Sequence, residues 1–239
     1  MTAERRIWLW GLAVEHADGG PVAVEHVGTA VMSAAGVDAA AVAVVLNASP
    51  RETIYASDRL ASTLEELTLT LGEGPGVDAL ADGPALVADL AAAECLARWP
   101  VFAPAAAQAG VRAVFALPLR IGAIRLGVLD LYRAEPGGLD RPRLADSLFL
   151  ADTMGALLLD EAGRDQARPD GSWPEHTGAQ PPVVHQATGM VIVQLGVTAA
   201  VALIRLRAYA YVHERRLRDV AAEVVARRLR FDPDPDVGG

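Results

Sequence analysis

Apolar positions along this chain recur in two periods, and the changes between them mark its elements. Residues 22–36 (VAVEHVGTAVMSAAG) place Val24, Val27, Val31 and Met32 at helical spacing, with Gly36 as the stop. The run AVAVVLNA at 41–48 reads as a buried strand, and RETIYASD at 51–58 as its hairpin partner, turned by Ser49-Pro50. LASTLEELTLTLG at 60–72 is an amphipathic helix, GEGPG at 72–76 a turn, and PALVADL at 84–90 a short strand. Residues 91–110 predict a loop and a helix carrying Cys95, Trp99 and Phe102. AVFALPLRIG (113–122) and AIRLGVLDLYR (123–133) form the strongest hairpin signal, with Pro118 expected at an edge or a bulge. PGGL at 136–139 ends it. Residues 140–162 are a long amphipathic helix through Leu144, Leu148, Ala151, Leu157 and Leu158. Helix, two strands, helix, strand, helix, two strands, helix is an α+β layout: an antiparallel sheet flanked by helices.

A different pattern follows. GRDQARPDGSWPEHTGAQPP at 163–182 is rich in proline and glycine and reads as a linker. Beyond Pro181-Pro182, Val184, Ala187, Val191 and Leu195 share one helical face, and Gly196 closes that helix. Thr198 is the N-cap of a second helix with Ala199, Leu203, Leu206 and Ala210 on one side. In a third, Leu217, Val220, Ala221, Val224 and Val225 align; no good N-cap precedes it, though Asp219 suits the helix dipole. Helices this short are not stable singly, so they pack as a small all-α three-helix bundle. The tail FDPDPDVGG is acidic and reads as disordered. The divisions are 1–21 as an N-terminal extension, 22–162 as the α+β domain, 163–182 as the linker, 183–230 as the bundle and 231–239 as the tail.

Charge sharpens this division. The chain of 239 residues carries a net −9 and contains no lysine. Residues 183–230 hold eight arginines against three acids, so a basic segment rides on an acidic carrier and calls for a polyanionic partner. Hydrophobic residues make up 52%, much of it alanine, and no run approaches the ~20 apolar residues of a membrane-spanning helix. Near the start, Arg5-Arg6 precedes an apolar run over 7–14. Glu15, His16 and Asp18 follow without a small-residue cleavage site, which favours a cytoplasmic protein over an exported one. The lone cysteine, Cys95, excludes an intrachain disulfide and a cysteine-based zinc site.

Candidate chemistry is concentrated in the basic segment. Arg205, Arg207, Tyr209, Tyr211, His213, Arg215, Arg216 and Arg218 crowd the second helix and the turn after it. Arginine offers forked donors for phosphates and base edges, and tyrosine a ring for an unpaired base. The alternative is a solvated arginine face with the tyrosines as partial core. GEGPG lacks the Lys-Ser/Thr of a phosphate loop. The five histidines show no metal spacing, and no Ser/His/Asp order stands out. No catalytic residue, metal site or cofactor is expected.

The runs HQATGMVIVQLGV, ALIRLRAYAY and LRDVAAEVV resemble the ANTAR domain, an RNA-binding three-helix module of bacterial antitermination regulators. Ala187, Gly189, Leu203, Leu206, Arg207, Ala210, Val220 and Ala221 stand at its pattern positions. Two positions depart. Thr188 stands where many members carry lysine, and Glu214 where a small residue is common. The segments LGEGPGVDAL, RWPVFAPAAAQAGVRAVFALPLR and LGVLDLYR resemble the GAF domains found ahead of ANTAR in actinobacteria. This resemblance implies a GAF-like sheet followed by an ANTAR bundle, acting as a homodimer on paired small hairpins in nascent transcripts. The RNA-binding residues would be Gln186, Gly189 and the eight named above. An unknown small-molecule or protein signal would act at the GAF domain. There Trp99, Phe102, Phe115 and Tyr132 could line a pocket or form an ordinary aromatic core. The lysine-bearing motif of cyclic-nucleotide GAF domains is absent. Two other readings remain: a DNA-binding helix-turn-helix, and a GAF scaffold that only dimerises.

Overall fold

The computed structural model describes residues 1–45, 51–166 and 183–232. The Ser49-Pro50 turn, residues 167–182 of the expected linker with His176, and most of the acidic tail lie outside the described residues.

Ten helices and five strands are described. In chain order they are α1 (Ala3–His16), α2 (Val24–Ala35), β1 (Ala39–Val44), β2 (Glu52–Ala56), α3 (Arg59–Leu71), α4 (Pro75–Asp82), β3 (Ala85–Val87), α5 (Ala93–Arg98), α6 (Phe102–Gln108), β4 (Ala113–Ile121), β5 (Ile124–Arg133), α7 (Arg141–Gln166), α8 (Val183–Leu195), α9 (Ala199–Val212) and α10 (Leu217–Val225). The strands form one antiparallel sheet in the order β2-β1-β5-β4-β3. Central registers are Ala41 with Asp130 and Phe115 with Leu131.

Side chains alternate across each strand, so the two faces of the sheet build separate cores. Phe115, Leu117, Leu129 and Leu131 meet Val27 and Val31 of α2 and Met154 of α7 on one face. Val114 and Tyr132 meet Leu64 of α3 with Trp99 and Phe102 on the other. Helices cover both faces, so β1 and β4 read as unbroken apolar runs rather than alternating ones. Pro118 pairs with Val128 of β5 beyond the end of β3, whose last partner on β4 is Ala116. A register shift follows at Leu119/Arg120. The missing N–H therefore falls at an open edge beside a bulge.

Four stretches differ from the sequence expectation, one of them residues 163–166, where α7 runs on into the expected linker. The N-terminal stretch is a helix: Leu9 and Ala13 are fully buried in the core shared with α2 and α7, and Arg5 forks onto buried Asp146 at 2.6 Å. Residues 91–110 hold two helices, not one. GEGPG is not a plain turn. Gly72 caps α3, and Pro75 opens α4 at its first position, where a missing N–H costs nothing. Between them, Glu73 accepts from the Val101 and Phe102 amides at 2.9 and 2.7 Å, capping α6 from outside.

No single described helix is long and apolar enough to cross a membrane. Helices α8 and α9 pass together by length and composition, but they bend by 105° where they join.

Candidate nucleic-acid interface

The bundle at the C-terminus starts from its caps. Gly196 ends α8 with a φ of 65° and donates to Ile192 O at 2.8 Å. Two residues on, Thr198 accepts from the Val201 amide and starts α9. Val184, Ala187, Val191, Ala202, Leu206, Ala210, Leu217, Val220, Ala221 and Val224 then close one buried cluster. Between α9 and α10 the chain turns through Glu214, whose φ of 51° is left-handed. That geometry explains why a small residue suits this position. Thr188 is buried and donates to Val184 O at 2.7 Å, turned into its own helix.

The ten candidate contact residues fall into two groups. At 100° per residue, Arg205 and Arg207 lie about 200° apart around α9, on opposite flanks of its buried stripe. Gln186, Gly189, Arg205, Tyr211, His213 and Arg216 are exposed, Tyr211 at 57%. Tyr209 is half-buried, stacked on His213 at 3.9 Å between ring centres and edge-on to Phe231 at 5.5 Å. Arg207, Arg215 and Arg218 are half-buried and also make contacts within the chain, as His213 does through Nδ1 to Tyr209 O at 2.8 Å. Arg215 forks onto Glu223 at 2.9 and 3.0 Å, and these hydrogen bonds hold the Glu223 carboxyl below its ordinary pKa. Arg207 and Arg218 turn toward α3. The outward face of α9 between these groups is apolar, through Val201, Ile204 and Ala208. Sequence reasoning did not single out that stripe.

The four aromatics considered for a pocket do not share one. Phe115 belongs to the core under α2 and α7, whereas Trp99, Phe102 and Tyr132 pack on the other side of the sheet. Strand alternation separates Phe115 from Tyr132. All four are buried core residues. Beside Tyr132 lies a polar cluster that periodicity could not reveal. Arg51 forks onto Glu65 at 2.6 and 2.7 Å and meets Asp130, while Tyr132 Oη donates to Glu65 at 2.8 Å. Burial, opposed by Arg51 and reinforced by Glu65, pushes Asp130 up to about 7. Cys95, half-buried, is pushed up by burial and by Glu94 and Asp89, away from a reactive thiolate. Among the described residues no group of three or more His, Cys, Asp or Glu is placed to hold a metal ion.

Comparison with known proteins decides the identity of the bundle. The model of the ANTAR domain matches residues 179–225. The C-terminal bundle is an ANTAR domain. No curated protein matches the chain. The α+β part before it has the fold of a GAF domain. The structure is similar to the GAF domain of a phosphoenolpyruvate-protein phosphotransferase from Coxiella burnetii (TM-score 0.52, 15% identity, covering 70% of this chain and 99% of that one). A GAF domain of the same kind of enzyme from Acinetobacter is also similar (TM-score 0.50, 11% identity, covering 68% and 97%).

The ANTAR domain packs against α3 of the GAF-like fold. Leu69 of α3 is buried in the ANTAR core cluster. Arg207 Nε donates to Leu69 O at 3.0 Å, one of the carbonyls left open at the end of α3. Its guanidinium lies over Gly72, where an added Cβ would stand 2.7 Å from Cζ. Burial lowers the pKa of Arg207. On α10, the Leu217 amide donates to Thr70 Oγ1 at 3.1 Å, so Thr70 supplies the cap that Arg216 does not. Glu66 pairs with Arg218 Nε as an ion pair at 3.2 Å and accepts from the Arg218 amide at 3.4 Å. A cleft of about 540 Å³ runs beside this seam, lined in part by Arg59, Thr63, Glu66, Arg215 and Arg216.

Proposed function

We propose that this chain is an RNA-binding antitermination regulator. In this reading its ANTAR domain engages paired small hairpins in a nascent transcript, and its GAF-like domain receives a small-molecule or protein signal. The observation that carries the reading is the ANTAR match over 179–225, together with an arginine- and tyrosine-rich α9 and turn on an otherwise acidic chain. Exposed Arg205, Arg216, His213 and Tyr211 offer phosphate donors and a ring for a splayed loop base. The domains are proposed as 22–162 for the GAF-like part and 183–230 for the ANTAR part, with α1 packed onto the former. The chain is proposed to act as a homodimer in the cytoplasm, without catalysis.

The test is a gel shift of the full chain with an RNA of two short hairpins, the same length of unpaired RNA, and duplex DNA. Hairpin RNA should bind best, and its affinity should fall linearly on a log–log plot against salt. Preference for duplex DNA would instead support the helix-turn-helix reading. Indifference to all three at low salt would leave only the scaffold.

A further inference from the structure

The three ANTAR groups that α3 occupies are cationic or amide donors of the kind a phosphate backbone takes. Arg207 is spent on the Leu69 carbonyl, Arg218 on the Glu66 carboxylate, and the first amide of α10 on the Thr70 hydroxyl. The Arg218 amide reaches the same carboxylate. Each α3 partner is an acceptor, and Glu66 carries the negative charge a phosphate would bring. Leu69 anchors the arrangement by filling a place in the ANTAR core.

The seam is nevertheless one that can open. The Arg218–Glu66 side chains keep only 22% and 16% exposure, so the attraction of the pair is offset by the hydration both groups give up. Burial raises the Glu66 carboxyl's pKa against the pull of Arg218, so the pair gives up hydration to form. Arg207 meets a neutral carbonyl, and burial lowers its pKa. A flexible, charged RNA backbone offers these donors more charge than α3 does.

We propose that the described arrangement is a closed state in which the C-terminal half of α3 masks the Arg207 and Arg218 side of the ANTAR domain, so that RNA and α3 compete for it. The inference rests on the RNA reading above. In the closed state the side that carries Arg205, Tyr209 and His213 stays outside, so RNA first meets that side and the full contact forms only after α3 lets go. Any event at the GAF-like domain that moves α3 then sets RNA affinity, because the closed population subtracts from the binding-competent one.

The experiment compares the full-length wild type with Glu66→Gln/Thr70→Val, using the two-hairpin RNA as probe. The variant removes two acceptors of the seam and touches none of the proposed RNA contacts. It should bind roughly five- to tenfold more tightly than wild type. In parallel, amide exchange of the wild type is followed with and without saturating RNA. The Leu217 amide, whose partner is the Thr70 hydroxyl, and the Arg218 amide should lose protection when RNA binds. If the variant does not fold, the exchange measurement decides alone. Equal affinity of the two forms, with Leu217 and Arg218 equally protected in free and RNA-bound chains, overturns the proposal and leaves the RNA reading standing. Absence of RNA binding by both forms overturns both.

Discussion

At Asp130 one carboxylate oxygen meets Arg51, and the other has no hydrogen-bond partner among the described residues. One guanidinium therefore faces two buried carboxyls, Glu65 and Asp130, and burial with the second negative charge keeps a proton on the site up to about pH 7. The sign follows from proton counting. The unfolded Asp130 releases its proton near the ordinary value of 3.8, well before the folded one does. Stability from this residue is full below that value and is lost as pH rises through about 7. The melting temperature should accordingly decline from about pH 5 to about pH 8, and Asp130→Asn should flatten that decline. A wild-type profile flat over this range would show that both carboxyls stay ionised. Removing Arg51, as in Arg51→Met, should destabilise the fold by about 3–5 kcal/mol, since two buried acids lose their cation. None of this cluster was legible in the sequence. Glu65 lies 14 residues from Arg51 and Asp130 lies 79 away, and no local spacing links them. Arg207 was legible as a residue of consequence but not in its contact, because its acceptor is a backbone carbonyl on another element, and any residue there supplies one.

Among the elements, those whose ends carry their own signals were read correctly. Gly36 and Gly196 end helices in the left-handed conformation, and Asp58 and Thr198 cap the next ones through their side chains. The hairpin of β4 and β5 was equally plain, since both strands are apolar over their central residues and turn at Gly122. Helix α4 is hidden in the sequence because its start, GEGPG, is built of the residues that also make turns; Pro75 serves both purposes. Helix α1 reads in sequence as an extension because only Leu9 and Ala13 bury fully, and its partners α2 and α7 lie elsewhere in the chain. In α9 the stripe of Ala202, Leu206 and Ala210 holds the bundle together. Leu206→Ala should cost about 2–5 kcal/mol and release the ANTAR helices at a lower temperature than the sheet, seen as an early loss of helical signal. A melt superimposable on wild type would mean that Leu206 packs against nothing essential.

For the whole molecule, the surfaces left apolar point to its assembly. Ile7, Trp10 and Val14 lie three and four residues apart along α1, exposed at 72%, 39% and 44%, next to α7 with its exposed Leu148 and Leu159. A homodimer of the kind proposed above would bury this face. Trp10→Glu should shift the full chain toward monomer in light scattering, with its melting little changed, because this ring is not part of the described core. A wild type that scatters as a monomer at all concentrations would remove the dimer from the reading. Helix α3 has a further consequence. Its Leu64 sits in the core of the sheet and its Leu69 in the core of the ANTAR bundle, five residues apart. The division into modules at the linker is thus a division of the chain, not of the packing. A chimera that transplants residues 183–230 onto another carrier would leave behind the plug at Leu69 and the cap at Thr70. The unit that travels intact includes the last turns of α3, and a graft without them inherits an open socket on its surface.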